Sequence, residues 1–143
     1  MRTTLETRPD LAGHLRHTIV RVARRLRQEA GGELSPSLTA GLSTVERHGP
    51  LTPSELAARE QIQRPTATRV LARLEEEGLI ERTADLFDRR SSLVAVTGAG
   101  KELLEELRTR KTAFLAQRLE TLEPEERAAL ERAADILERV LEQ

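Results

Sequence analysis

The sequence predicts a mainly α fold with one small β hairpin, and three observations carry that prediction. Hydrophobic residues, mostly Leu, Ala, Val and Ile, make up 38% of the chain and charged residues 33%. This composition is rich in helix formers and too apolar for a disordered chain. Apolar residues recur at helical spacing through most of the 143 residues. One stretch, 79–97, breaks that period with two short β-prone runs on either side of a polar loop.

Leu11, Leu15, Ile19, Val22 and Leu26 put one apolar face on a first helix from Asp10 to Ala30, which Gly31-Gly32 stops. Ser35 or Ser37 can cap a second helix with stripe Leu38, Leu42 and Val45, ended by His48-Gly49-Pro50. Thr52-Pro53-Ser54-Glu55 reads as a capping box with proline at the first helical position. The Thr52 hydroxyl accepts from the Glu55 N–H and the Glu55 carboxylate reaches back to the Thr52 N–H. The helix so opened is short, through about Arg59, with Leu56 and Ala57 inward. A turn around 60–63 leads to a fourth helix, where Pro65 fits the first turn. Ala67, Val70, Leu71 and Leu74 form its apolar face, and Gly78 supplies a left-handed cap. Two short helices joined by a tight turn make a helix-turn-helix.

Leu79–Thr83 and Leu93–Thr97 read as paired strands around the loop 84–92, and a hairpin placed there is a wing. Thr97 can cap a long helix from Gly98 to about Glu120, whose stripe is interrupted by polar residues at 108–112. Pro124 opens a last helix with Leu130, Ala134, Leu137 and Leu141 at helical spacing.

Absent residues exclude whole classes of function. There is no cysteine, so disulfides, Cys-ligated zinc, iron–sulfur clusters and thiol chemistry are out. Phe87 and Phe114 are the only aromatic residues besides histidine, too few for a single-strand stacking platform. No apolar run approaches a membrane span and no signal-peptide pattern opens the chain, so the cytoplasm is the expected compartment. No phosphate loop, Ser-His-Asp arrangement or HExxH motif supports an enzyme. Gly98-Ala99-Gly100-Lys101 lacks the phosphate-loop spacing and reads as small residues easing the turn out of the wing. No cofactor is expected.

The net charge of −1 hides an asymmetry. Basic groups exceed acidic ones over residues 1–30, and the reverse holds over 98–143. From Gln61 to Leu74 there are three arginines, Arg64, Arg69 and Arg73, and no acid; Glu75-Glu76-Glu77 follow. An acid-free arginine window is either a solvated face or a polyanion contact. The winged core alone is a marginal size for a stable domain. The first helix and the last two therefore pack with one another, either in a monomeric bundle or across a two-fold axis with a second copy.

The most telling stretches are Leu51–Ala57, Arg64–Val70, Leu74–Ile80 and Asp88–Thr97, in this order and at these spacings. With the element order they resemble the MarR (multiple antibiotic resistance regulator) family of bacterial winged-helix repressors, over about residues 10–141. The resemblance implies a single domain over 1–143, with 10–30 and 98–143 as dimerisation helices and 35–97 as the winged helix-turn-helix region. It implies a homodimer on a pseudo-palindromic double-stranded operator, and a repressor released by a small aromatic or phenolic effector.

Mapped onto the family's pattern, Gln63, Arg64, Thr66, Thr68 and Arg69 face the major groove. Arginine and glutamine are suited to paired bonds with guanine and adenine. Backbone N–H groups near Ser54 and Pro65 meet phosphates, and Arg73 approaches only the backbone. In the wing, Asp88 and Arg90 match the family's aspartate-x-arginine: Arg90 enters the minor groove, Asp88 holds its guanidinium, and Arg89 faces phosphate. Without that context Asp88 and Arg90 are a surface ion pair. The family's ligands lodge near the first helices and the long fifth helix, so His17 and Arg21 are the candidate effector contacts.

Two other readings stand beside this one. A winged helix can serve as a protein-interaction module without DNA. A metal-responsive regulator would use His14 and His17, three apart on one helix face, with His48; no cysteine or evident carboxylate completes that set.

Overall fold

The structure is a computed structural model and describes residues 9–32, 34–88 and 90–143. The elements run α1 (Pro9–Ala30), α2 (Pro36–His48), α3 (Pro53–Glu60), α4 (Arg64–Glu76), β1 (Ile80–Ala84), β2 (Ser92–Val96), α5 (Gly98–Leu119) and α6 (Pro124–Leu141). Among the described residues, no helix is long and apolar enough to cross a membrane.

The chain separates into two compact units. One is Ala30–Thr109; the other joins the chain through Glu29 to Arg110–Gln143. The polar interruption expected at 108–112 coincides with the boundary inside α5. Leu104 and Leu107 before it are buried, and α5 buries no residue after it.

The Ala30–Thr109 unit holds the hydrophobic core: Leu42 and Val45 of α2, Leu56 of α3, Ala67, Leu71 and Leu74 of α4, with Leu51, Ile80, Val94 and Leu104. Local side-chain chemistry sets where α2 and α3 begin. Ser35, rather than Ser37, caps α2, its hydroxyl accepting from the Leu38 N–H at 3.3 Å. Thr52 caps α3 by accepting from the Glu55 N–H at 3.1 Å. The Glu55 carboxylate accepts from the Thr52 hydroxyl at 3.2 Å instead of from its backbone N–H. The turn between α3 and α4 passes through Gln61 in the left-handed region, with φ of 54°.

The exit from α4 explains a one-residue shift of the strands. Gly78 has φ of 73°. Its N–H bonds to the Glu75 carbonyl at 2.9 Å, and the Leu79 N–H bonds to the Leu74 carbonyl at 3.0 Å. This is a Schellman closure. Leu79 therefore completes the helix, and β1 begins at Ile80 rather than Leu79. At the other end, Thr97 turns its hydroxyl to cap α5, so β2 stops at Val96.

The strands are antiparallel, with Ile80 opposite Val96 and Ala84 opposite Ser92. The hairpin has a third partner that its own sequence does not announce. Leu51, just before α3, forms a bridge with Val94, with bonds of 3.0 and 2.8 Å in the two directions. Gly100 packs against the base of the wing. A Cβ there would overlap the Leu79 carbonyl oxygen and stand 2.7 Å from Val96 Cγ2, so a close approach requires glycine.

In the other unit, α1 and α6 have apolar stripes that stay open to solvent. Leu11, Leu15, Ile19 and Val22 of α1 are exposed, as are Leu130, Ile136, Val140 and Leu141 of α6.

Candidate nucleic-acid interface

The start of α4 is built by burying one of its faces. Ala67, Val70, Leu71 and Leu74 go into the core, which leaves Arg64, Pro65, Thr68, Arg69, Ala72 and Arg73 exposed. Gln63 is the N-cap residue, in extended backbone, and its side chain makes no capping bond. Arg64 and Thr68 are one turn apart, as are Pro65 and Arg69, so they share one solvent face. Among the described residues, neither Arg64 nor Arg69 has a carboxylate within ion-pair distance.

Thr66 sits differently from its neighbours. It is half-buried, accepts from the Arg69 guanidinium at 3.5 Å, and lines a depression with Ile62, Glu60 and Val70. Glu60, beneath it, accepts from the Thr44 hydroxyl. Ser54 is exposed in the first turn of α3.

Arg73 is already engaged. It meets Glu77 at 3.1 Å and Glu76 at 3.8 Å. Glu75 takes Arg82 of β1 at 3.2 Å. Glu76 and Glu77 therefore close the acid-free window by pairing with the arginine nearest to them, and Glu75 fastens the end of α4 to the wing.

In the wing, the Asp88 carboxylate accepts from the Arg90 backbone N–H at 2.9 Å. No Asp88–Arg90 ion pair occurs among the described residues, so the expected grip on the guanidinium is replaced by a local turn. The reason is spacing: an aspartate side chain readily bonds the N–H two residues on, at no cost in long side-chain order. The Arg90 side chain is left exposed. Asp85 repeats the device, accepting from the Phe87 N–H at 2.9 Å. Arg89 lies outside the described residues.

The loop expected to be polar carries Leu86 and Phe87, both almost wholly exposed. Sequence reading gives them no role. The available signal is two consecutive large apolar residues set between two turn-forming aspartates.

In the other unit, Thr18, Arg21, Val22, Arg25, Phe114 and Arg118 line an open depression of about 410 Å³. Arg118 stands 4.9 Å and Arg25 5.5 Å from the centre of the Phe114 ring. Arg25 also meets Glu29 at 2.8 Å. Arg21 thus lies in a cationic pocket, whereas His17 is exposed and does not line it. Among the described residues, no three histidines or carboxylates gather as metal ligands would.

The profile of the MarR family matches residues 34–92. An uncharacterized HTH-type transcriptional regulator of Mycobacterium bovis is 36% identical over 134 residues, covering 93% of this chain and 94% of that protein. A candidate transcriptional regulator of Pseudomonas aeruginosa PA01, solved by crystallography, superposes with a TM-score of 0.83 at 33% identity, over 93% of this chain and 94% of that one. A MarR family protein from Bacillus stearothermophilus has the same fold, with a TM-score of 0.81 at 23% identity over 99% of this chain and 100% of that one.

Proposed function

The chain belongs to the MarR family of transcriptional regulators, and from that premise we propose that it represses transcription by gripping a pseudo-palindromic duplex as a homodimer. The observation that carries this reading is the start of α4. There Gln63, Arg64, Thr68 and Arg69 share an exposed, acid-free face in the same compact unit as the wing.

The face suits the major groove. Arg64 and Arg69 can each donate two parallel bonds to guanine, and Gln63 can pair adenine. Thr66 and Thr68 serve phosphate or a thymine methyl, and backbone N–H groups in the first turns of α3 and α4, near Ser54 and Pro65, add phosphate contacts. Arg90 takes the minor groove. Arg73, shared with Glu76 and Glu77, is the weakest of the contacts.

Exposed leucines, isoleucine and valines on α1 and α6 support pairing through 10–30 and 98–143, since apolar stripes of this kind seek cover. A two-fold pair presents two α4 helices to one side of a duplex, about 34–36 Å apart. The effector is a small aromatic carboxylate or phenol, held by Arg21 and its cationic neighbours around Phe114.

Selection from fragmented genomic DNA tests the reading. Enrichment of one pseudo-palindrome by the purified chain is the expected result. A chain that enriches no duplex, and behaves as a monomer in sedimentation, overturns it in favour of a protein-interaction module. Adding benzoate or salicylate to the bound complex should release the DNA, and Arg21→Ala should abolish that release.

A further inference from the structure

Leu86 is 92% exposed and Phe87 99%, more than any other large apolar residue among those described. Such side chains normally fold back onto a neighbour. Here the turn prevents it. The Phe87 N–H is held by Asp85 and the Arg90 N–H by Asp88. The Ser91 N–H donates to the Asp88 carbonyl at 3.1 Å, and the Asp85 N–H donates to the Ser91 carbonyl at 3.3 Å. Both aspartates are thereby engaged by the turn's own backbone, the two apolar side chains are left in solvent, and Arg90, also exposed, belongs to the same loop.

Taking the chain as DNA-binding, as proposed above, we infer that Leu86 and Phe87 form an apolar wedge that enters the minor groove next to Arg90 and pries open one base step. Three considerations select this occupant. One phenylalanine and one leucine offer a few hundred Å² at most, well below the roughly 1,000 Å² of a specific protein interface. A lone hairpin tip also lacks the broad apolar face with which a helix lies on a lipid surface. A cation in the same turn supplies the attraction to the groove that an apolar pair cannot.

Partial unstacking by Phe or Leu is a known way for proteins to bend a duplex, and its cost depends on the step. Pyrimidine–purine steps such as TA and CA open most readily. The wedge therefore reads deformability at a position with no base hydrogen bond. It adds a sequence preference outside the bases that α4 contacts.

The test uses the full chain and the duplex it enriches from a random-sequence pool, with 2-aminopurine substituted in turn at the flanking A·T pairs. The wild-type chain should raise fluorescence at one step on each flank, and Phe87→Ala should lose that signal. Phe87→Ala should bind about tenfold more weakly, with an unchanged salt slope because no phosphate contact is lost. Replacing the flexible step by a stiff A-tract should weaken wild type by a similar factor and leave Phe87→Ala unaffected. Phe87→Trp should retain both signal and affinity.

Wild-type affinity in the Leu86→Ala/Phe87→Ala double variant overturns the wedge while leaving the DNA-binding reading intact. So does a loss of affinity that comes with a smaller salt slope and no fluorescence change in wild type. Failure of the wild-type chain to enrich any duplex overturns both at the first step, so the two failures are distinguishable. Substitution of residues this exposed should leave folding unchanged, and a native circular dichroism spectrum is required of each variant.

Discussion

The Thr97 hydroxyl donates to the Gly78 carbonyl at 2.7 Å and accepts from the Gly100 N–H at 3.1 Å. One side chain thus joins the exit of α4, the end of β2 and the start of α5. Loss of such a cap and its second bond costs about 1–2 kcal/mol. Thr97→Ala should lower stability in urea by about that amount, whereas Thr97→Ser should keep most of it.

Gly100→Ala should destabilise by about 1–3 kcal/mol, because the added methyl meets Leu79 and Val96 with no room to relax. The control is Gly98→Ala, since a Cβ on Gly98 meets nothing within 4 Å. A thermal melt in which the two variants coincide would remove the close approach as the reason for glycine at 100.

The arginines of α4 should separate in a gel-shift titration at fixed salt. Arg64→Ala and Arg69→Ala should each weaken binding by roughly 1–3 kcal/mol, the worth of a paired base contact. Arg73→Ala should lose distinctly less, because Glu76 and Glu77 already share its charge. Equal losses at all three positions would mean that the glutamates yield Arg73 to the duplex.

Substitutions at Asp88 distinguish its two conceivable duties. Asparagine keeps an oxygen for the Arg90 N–H, so Asp88→Asn should bind DNA nearly as well as wild type, and Asp88→Ala should bind less well. If the carboxylate's charge were what orients the Arg90 guanidinium, both variants would fall together. Arg90→Ala should weaken binding with a native circular dichroism spectrum.

Binding should also weaken steeply with salt. Each phosphate contact contributes about 0.9 to the slope of log affinity against log salt concentration. A flat dependence would leave the exposed arginines without phosphate partners.

The helices are legible in the sequence because their ends carry side-chain chemistry. Ser35, Thr52 and Thr97 each mark a boundary through a side-chain bond that the residue type can make by itself, and Gly78 marks one through the left-handed backbone that glycine adopts freely. The shift of β1 and β2 is less legible, because Leu79 has strand-like composition yet spends its N–H closing α4. The Leu51–Val94 bridge is invisible to any pattern, since a single paired residue has no period. At the site, the arginines with no carboxylate partner among the described residues are readable from the spacing of charges along α4. The capture of Arg73 and the backbone duty of Asp88 are not, because both depend on which partner lies nearest in three dimensions. The projection of Leu86 and Phe87 depends on a turn that only the folded loop defines.

The pairing of Leu51 with Val94 has a mechanical corollary. Strand β2 is held on one side by β1 and on the other by the segment that launches α3, so the hairpin's orientation is inherited from that segment. Its outer end makes no comparable demand on the core. Leu86 and Phe87 can therefore be exchanged like the bit of a drill, while the shaft and the chuck stay as they are.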